Sequence, residues 1–138
     1  MTKEVWINLP VKDINRSKAF FTAIGFTIDP NAGDPSVMVS LKIGSPKVAI
    51  MLFDENVFKS FTSHPLTDTS KSSEVLISFD AESREEIDQL AAKVTAAGGT
   101  LYGKPSEVQG WMYGFGFTDP DGHRWNGLYM DMSKMPKH

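Results

Sequence analysis

Few side chains in this chain are equipped for chemistry. There is no cysteine, so a thiolate nucleophile, a thiolate metal site and a disulfide framework are all excluded. The three histidines are scattered: His64 in a polar stretch, His123 just after a turn and His138 at the last position. None falls at an inward-alternating position of a strand-like run. His123 reads as a turn or edge residue, and His64 as a loop residue that could at most swing over a pocket mouth. Glu74 is different, because it opens the apolar run Glu74–Phe79. A carboxylate there can act as a general base, a ligand or an anchor for a cation. The competing reading is a solvated or paired acid at a strand start. Trp6 offers a flat face to a planar ligand, or simply fills space. Asn126 can donate and accept hydrogen bonds with one amide.

The elements that must position these residues form a unit that occurs twice. Val5–Leu9 is β-rich, and Asp13 then offers an N-cap to a helix whose face is Ile14, Ser17, Phe20, Phe21 and Ile24. Gly25 supplies the stop. Strand-like pieces follow at Phe26–Asp29, Val37–Ile43 and Val48–Phe53, with Gly44-Ser45-Pro46 as the hairpin turn. The order then recurs. Glu74–Phe79 is a strand, Ser83 and Glu86 form a capping box, and Ile87, Leu90, Ala91 and Val94 mark a helix face. Gly98-Gly99 ends that helix, and strands return at Thr100–Tyr102, Trp111–Thr118 and Arg124–Met130. The polar stretch between the copies, with Phe58, Phe61 and Leu66 interspersed, reads as a partly packed linker.

One helix per copy can cover only one face of its sheet. Alternation assigns Val5, Ile7 and Leu9 to the covered face and turns Trp6 and Asn8 the other way. It likewise sets Val48, Ile50 and Leu52 against Ala49, Met51 and Phe53, and Val75, Ile77 and Phe79 against Glu74, Leu76 and Ser78. Trp111, Tyr113, Phe115 and Phe117 make a core stripe, leaving Met112, Gly114 and Gly116 on the open side. The fold class expected is α+β: two βαβββ modules forming a cup-shaped eight-stranded mixed sheet, with the helices on the outer face. A single domain is expected over 1–138, with module 1 about 4–54, a linker over 55–73 and module 2 about 74–131. A cup lined by apolar groups and a few polar ones suits a small-molecule site.

Two motifs carry a family resemblance. The first is Leu9-Pro10-Val11-Lys12-Asp13, followed by Ser17, Phe20, Phe21 and Gly25-Phe26. The second is Phe117-Thr118-Asp119-Pro120-Asp121-Gly122-His123-Arg124-Trp125. Asp-Pro-Asp-Gly alone is only a good turn, but its place before the final strand of a duplicated unit makes it specific. From about Glu4 to Asp131 the chain resembles the vicinal oxygen chelate superfamily, which includes glyoxalase I, extradiol dioxygenases, fosfomycin-resistance enzymes and bleomycin-binding proteins. It is most similar to the glyoxalase-like bacterial group. The resemblance implies four metal-ligand positions, usually His or Gln, Glu, His and Glu. They fall here on Trp6, Met51, Glu74 and Asn126.

Of these only Glu74 is a good cation ligand, and an indole cannot ligate at all. No cofactor or metal is therefore expected, with a weak divalent metal at Glu74 left open. Glu74 is the catalytic candidate, and Trp6, Asn8, Met51, Glu74, Met112 and Asn126 are the ligand-binding candidates. In a cup walled by Trp6, Met51 and Leu76, with no basic residue at a neighbouring inner position, Glu74 should be partly desolvated. Two functions follow from the resemblance. One is a metal-free small-molecule binder working as a homodimer. The other is a divalent-metal-dependent lyase or dioxygenase of the glyoxalase I or extradiol type, and whether the chain is catalytic stays open. A regulatory or structural dimer without a small ligand is a third, weaker reading.

Bulk properties narrow the partners. Fourteen Lys and Arg against 17 Asp and Glu give a formal charge of -3, which offers no electrostatic reason to bind nucleic acid or an anionic membrane. No apolar run approaches a membrane span. With no signal-peptide pattern at the start, a cytoplasmic location is the expectation.

Overall fold

The computed structural model describes residues 1–45 and 48–136. The expected turn at Gly44-Ser45-Pro46 therefore falls partly outside the described residues, and His138 wholly so. The chain divides into two compact units, Met1–Ser72 and from Ser73 onward. Each holds a four-stranded mixed sheet and one long helix, in the order strand, helix, three strands.

In the first unit, β1 (Trp6–Val11) leads to α1 (Ile14–Ala23), then β2 (Thr27–Ile28), β3 (Met38–Ile43) and β4 (Val48–Asp54). The sheet order is β1-β4-β3-β2, with β1 parallel to β4 and the other pairs antiparallel. Asp13 caps α1 as expected, its Oδ1 accepting from the Arg16 N–H at 3.0 Å. At the other end Gly25 takes φ +97°, which an L side chain resists. The Phe26 N–H then reaches back to the Phe21 carbonyl, and the Gly25 N–H to that of Thr22, closing a Schellman motif. The core between α1 and the sheet is Leu9, Val11, Phe20, Phe21, Ile24, Val39, Leu41, Ile50 and Leu52. This is the face that alternation selects.

The second unit repeats the pattern with β5 (Leu76–Ala81), α3 (Arg84–Ala96), β6 (Thr100–Val108), β7 (Met112–Thr118) and β8 (Arg124–Met130), in the sheet order β5-β8-β7-β6. Ser83 Oγ accepts from the Glu86 N–H, while the Glu86 carboxylate accepts from the Glu82 N–H rather than from Ser83 itself. Gly98 repeats the φ of Gly25 at +97°, with the same pair of backward bonds from Gly98 and Gly99. Ile87, Ala91 and Val94 of α3 pack with Phe115, Phe117 and Trp125, whose rings stack in sequence at 5.4 and 6.2 Å. Phe115 and Phe117 of the aromatic stripe are thus core, whereas Tyr113 is half-buried with its hydroxyl donating to Asp88, and Trp111 lies just before β7.

Three local features differ from the sequence reading. The linker contains a helix, α2 (Glu55–Thr62), capped by Asp54. Its Phe61 ring meets Phe53 edge to face at 5.1 Å, so those apolar residues have a packing partner. The second difference is β6, which runs to Val108. A three-residue turn, Gln109, Gly110 and Trp111, then joins it to β7, with Gln109 at φ 54° and Gly110 at φ 80°. Third, β5 begins at Leu76, two residues later than expected.

Candidate functional site

Each sheet has a face turned away from its long helix. On that face the duplicated topology builds two equivalent rows. In the first unit Asn8 pairs with Met51, and Met51 with Ser40. In the second, Ser78 pairs with Asn126, and Asn126 with Gly116. Residues paired in register point to one face, so each row presents its side chains together. Both rows hold a polar atom that is buried and has no hydrogen-bond partner among the described residues: Ser40 Oγ in one, Asn126 Oδ1 in the other. Buried polar atoms are normally paired, so an orphan in each row needs a reason.

The candidate residues distribute unevenly around these rows. Asn8 and Met51 share the first row, and Asn126 anchors the second. Trp6 pairs with Ala49 one row away, about 7 Å along the strand, and stands 55% exposed. Lys42 completes that row. Met112, paired with Met130, is two rows from Asn126. Glu74 precedes β5 and is exposed. By strand rise it lies about 13 Å of chain from Ser78. The desolvated setting expected for Glu74 is therefore not the one it occupies. The second unit also has a basic residue on this face, contrary to expectation: Arg124 pairs with Leu76, the next open-face residue after Glu74.

Arg124 is part of an arrangement that the sequence reading missed. Its guanidinium lies 4.4 Å above the centre of the Tyr102 ring. The Tyr102 hydroxyl donates to the Trp125 carbonyl at 3.1 Å, in the strand segment between Arg124 and Asn126. The ring in turn rests on Gly116, where an added Cβ would lie only 2.4 Å from Tyr102 Cε2. Burial pushes the Tyr102 phenol up from its ordinary value, and the neighbouring Arg124 charge pulls it partly back. Arg124 was legible in principle, being two residues before Asn126 on one strand and so on the same face. Tyr102 was not, because β6 shifts register between Leu101 and Gly103 and again before Ser106.

The Asp-Pro-Asp-Gly turn sets the start of β8. Asp119 is buried, and its Oδ1 accepts from the Asp121 and His123 N–H groups while Oδ2 accepts from the Trp125 indole at 3.1 Å. The turn thus anchors Trp125 in the core, and alternation then sends Arg124 and Asn126 to the open face.

The donors present do not fit a transition metal of the kind the resemblance implies. The two rows offer amides, hydroxyls and a thioether, with no carboxylate or imidazole among them. Among the described residues no group of three or more His, Cys, Asp or Glu converges on one point. Zinc, nickel and iron sites need imidazole, thiolate or several carboxylates.

Comparison with known proteins agrees with this architecture. The chain is similar to the hypothetical protein SA1046 from S. aureus, at 36% identity and TM-score 0.82 over 94% of each chain. It shares its fold with a glyoxalase/bleomycin resistance protein/dioxygenase family enzyme from Burkholderia phytofirmans PsJN, at 21% identity and TM-score 0.76, over 91% of this chain and 96% of that one. It also shares it with a glyoxalase-related enzyme from Fulvimarina pelagi, at 18% identity and TM-score 0.78, over 94% and 88% of the two chains. No curated protein matches. The family model described as Glyoxalase/Bleomycin resistance protein/Dioxygenase superfamily matches residues 5–126, and the chain belongs to that superfamily.

Proposed function

We propose that this protein binds a small molecule without the metal used by its enzyme relatives, on the sheet faces turned away from α1 and α3, and that it works as a homodimer. One observation carries the binding reading: equivalent rows of the two modules each hold an orphaned buried polar atom, Ser40 Oγ and Asn126 Oδ1, and no strong metal donor. Leaving a buried polar group unpaired costs about 1–3 kcal/mol. A ligand whose binding uncovers these atoms and supplies the missing bond recovers that cost, which gives these positions a reason to be polar. The second unit adds a cation and an aromatic ring beside its row, Arg124 and Tyr102.

The test is a fragment screen on isotope-labelled protein in the presence of a chelator, followed through backbone and side-chain amide resonances. Shift changes should concentrate on Asn8, Ser40, Met51, Ser78 and Asn126. Hits confined to the outer surfaces of α1 and α3, or binding that appears only on adding a divalent metal, would contradict the reading.

A further inference from the structure

We propose that the ligand carries an oxyanion, a carboxylate or a phosphate or phosphonate group, and that Arg124 braced on Tyr102 selects it. The inference rests on the open face of the second unit being the binding surface, and it names the ligand class for that face.

Three observations converge on Arg124. Among the described residues it has no carboxylate partner, although the chain has more acids than bases. It is half-buried, so its charge is partly shielded from water. Its position is also held from below. Gly116 has no side chain, which lets the Tyr102 ring lie flat against β7, and the Tyr102 hydroxyl is tied to β8 at the Trp125 carbonyl. The guanidinium stacks on that fixed ring. A guanidinium stacked by its face keeps its N–H edges available, and those edges match two oxygens of a carboxylate or phosphate. A lysine would make neither the stack nor the paired bonds. Asn126, next on the same face, offers an acceptor to an O–H or N–H of the same ligand once binding uncovers its buried Oδ1.

The experiment titrates four compounds of one shape: benzoate, phenylphosphonate, benzyl alcohol and benzylammonium. Each is added to the wild-type chain, Arg124→Gln, Arg124→Lys and Tyr102→Leu, with heat released as the readout and circular dichroism as the fold check. The two oxyanions should bind the wild type in preference to the alcohol and the cation. Arg124→Gln should weaken them roughly 10- to 100-fold, as expected for loss of a charged hydrogen-bonding group. Arg124→Lys should fall between, keeping charge but losing the fork, and Tyr102→Leu should weaken binding less than Arg124→Gln. Comparison of benzoate with phenylphosphonate separates the carboxylate from the phosphoryl source. Equal oxyanion binding by wild type and Arg124→Gln, equal binding of benzylammonium, or no binding by any of the four overturns the inference. If fragments still perturb Ser78 and Asn126, the binding-face reading survives that result. Binding that requires added zinc or nickel overturns both.

Discussion

Asp119 joins the turn to the core through three accepted hydrogen bonds while sitting almost wholly out of water. Burial, the largest effect, raises its carboxyl above the ordinary 3.8, and His123 and the Trp125 indole pull it partly back. Replacing Asp119 by Ala strands the Trp125 N–H in the core, a loss of roughly 1–3 kcal/mol. The sign of the pH dependence follows from the raised value. Such a group stabilises the fold fully below its unfolded value and loses that contribution as pH rises through its folded one. The stability gap between wild type and Asp119→Ala should therefore be widest below pH 3.8 and narrow as pH rises above it. Urea unfolding of both proteins across that range measures the gap. A gap that widens with pH would mean that the folded state favours the charged form. At this scale the sequence was read well where a residue acts through neighbours in the chain, as Asp13 and Ser83 do at their caps. It was read poorly where a side chain acts across strands. Tyr102 belongs to the site through Gly116 and Trp125, both distant in sequence and brought together only by the sheet.

Strand positions explain most of what alternation gave correctly. Side chains of β1, β4, β5 and β7 alternate between the two faces, and the pairings of these strands with β4, β3, β8 and β8 run without a break. In β6 it is the pairing with β7 that is broken, because Gly103 and Pro105 lie in a stretch of shifted register. The helix in the linker was hidden by its polar composition, although Phe58 and Phe61 marked it as packed. Edges matter as well. β1 and β5 each end a sheet, and the chain at their starts exposes Val5, Trp6, Ile7, Val75 and Leu76. Unpaired apolar edges favour association with another chain, which supports the proposed homodimer. Sedimentation velocity at micromolar concentration should return twice the mass of one chain. A single species at 15.3 kDa would count against it.

At the scale of the whole molecule, the duplication was the most legible feature. Each copy repeats the same cap, the same glycine stop at φ +97° and the same parallel pairing of its first and last strands. What the repeat could not give was the row in which each polar residue stands. Counting from motifs put Trp6 and Glu74 beside Met51 and Asn126, whereas the registers put Asn8 and Ser78 there. Those registers replace the one carboxylate by a hydroxyl and leave the metal still fewer donors. The most direct measurement is the metal content of the protein after equilibration with zinc, nickel, manganese and ferrous iron and passage through a desalting column. Loss of nearly all strong ligands removes most of the roughly 10–16 kcal/mol that a good zinc site can supply. Retention should therefore be far below one metal per chain for each ion. Retention of one metal per chain through the column, abolished by substituting Asn126 or Glu74, would contradict the metal-free account.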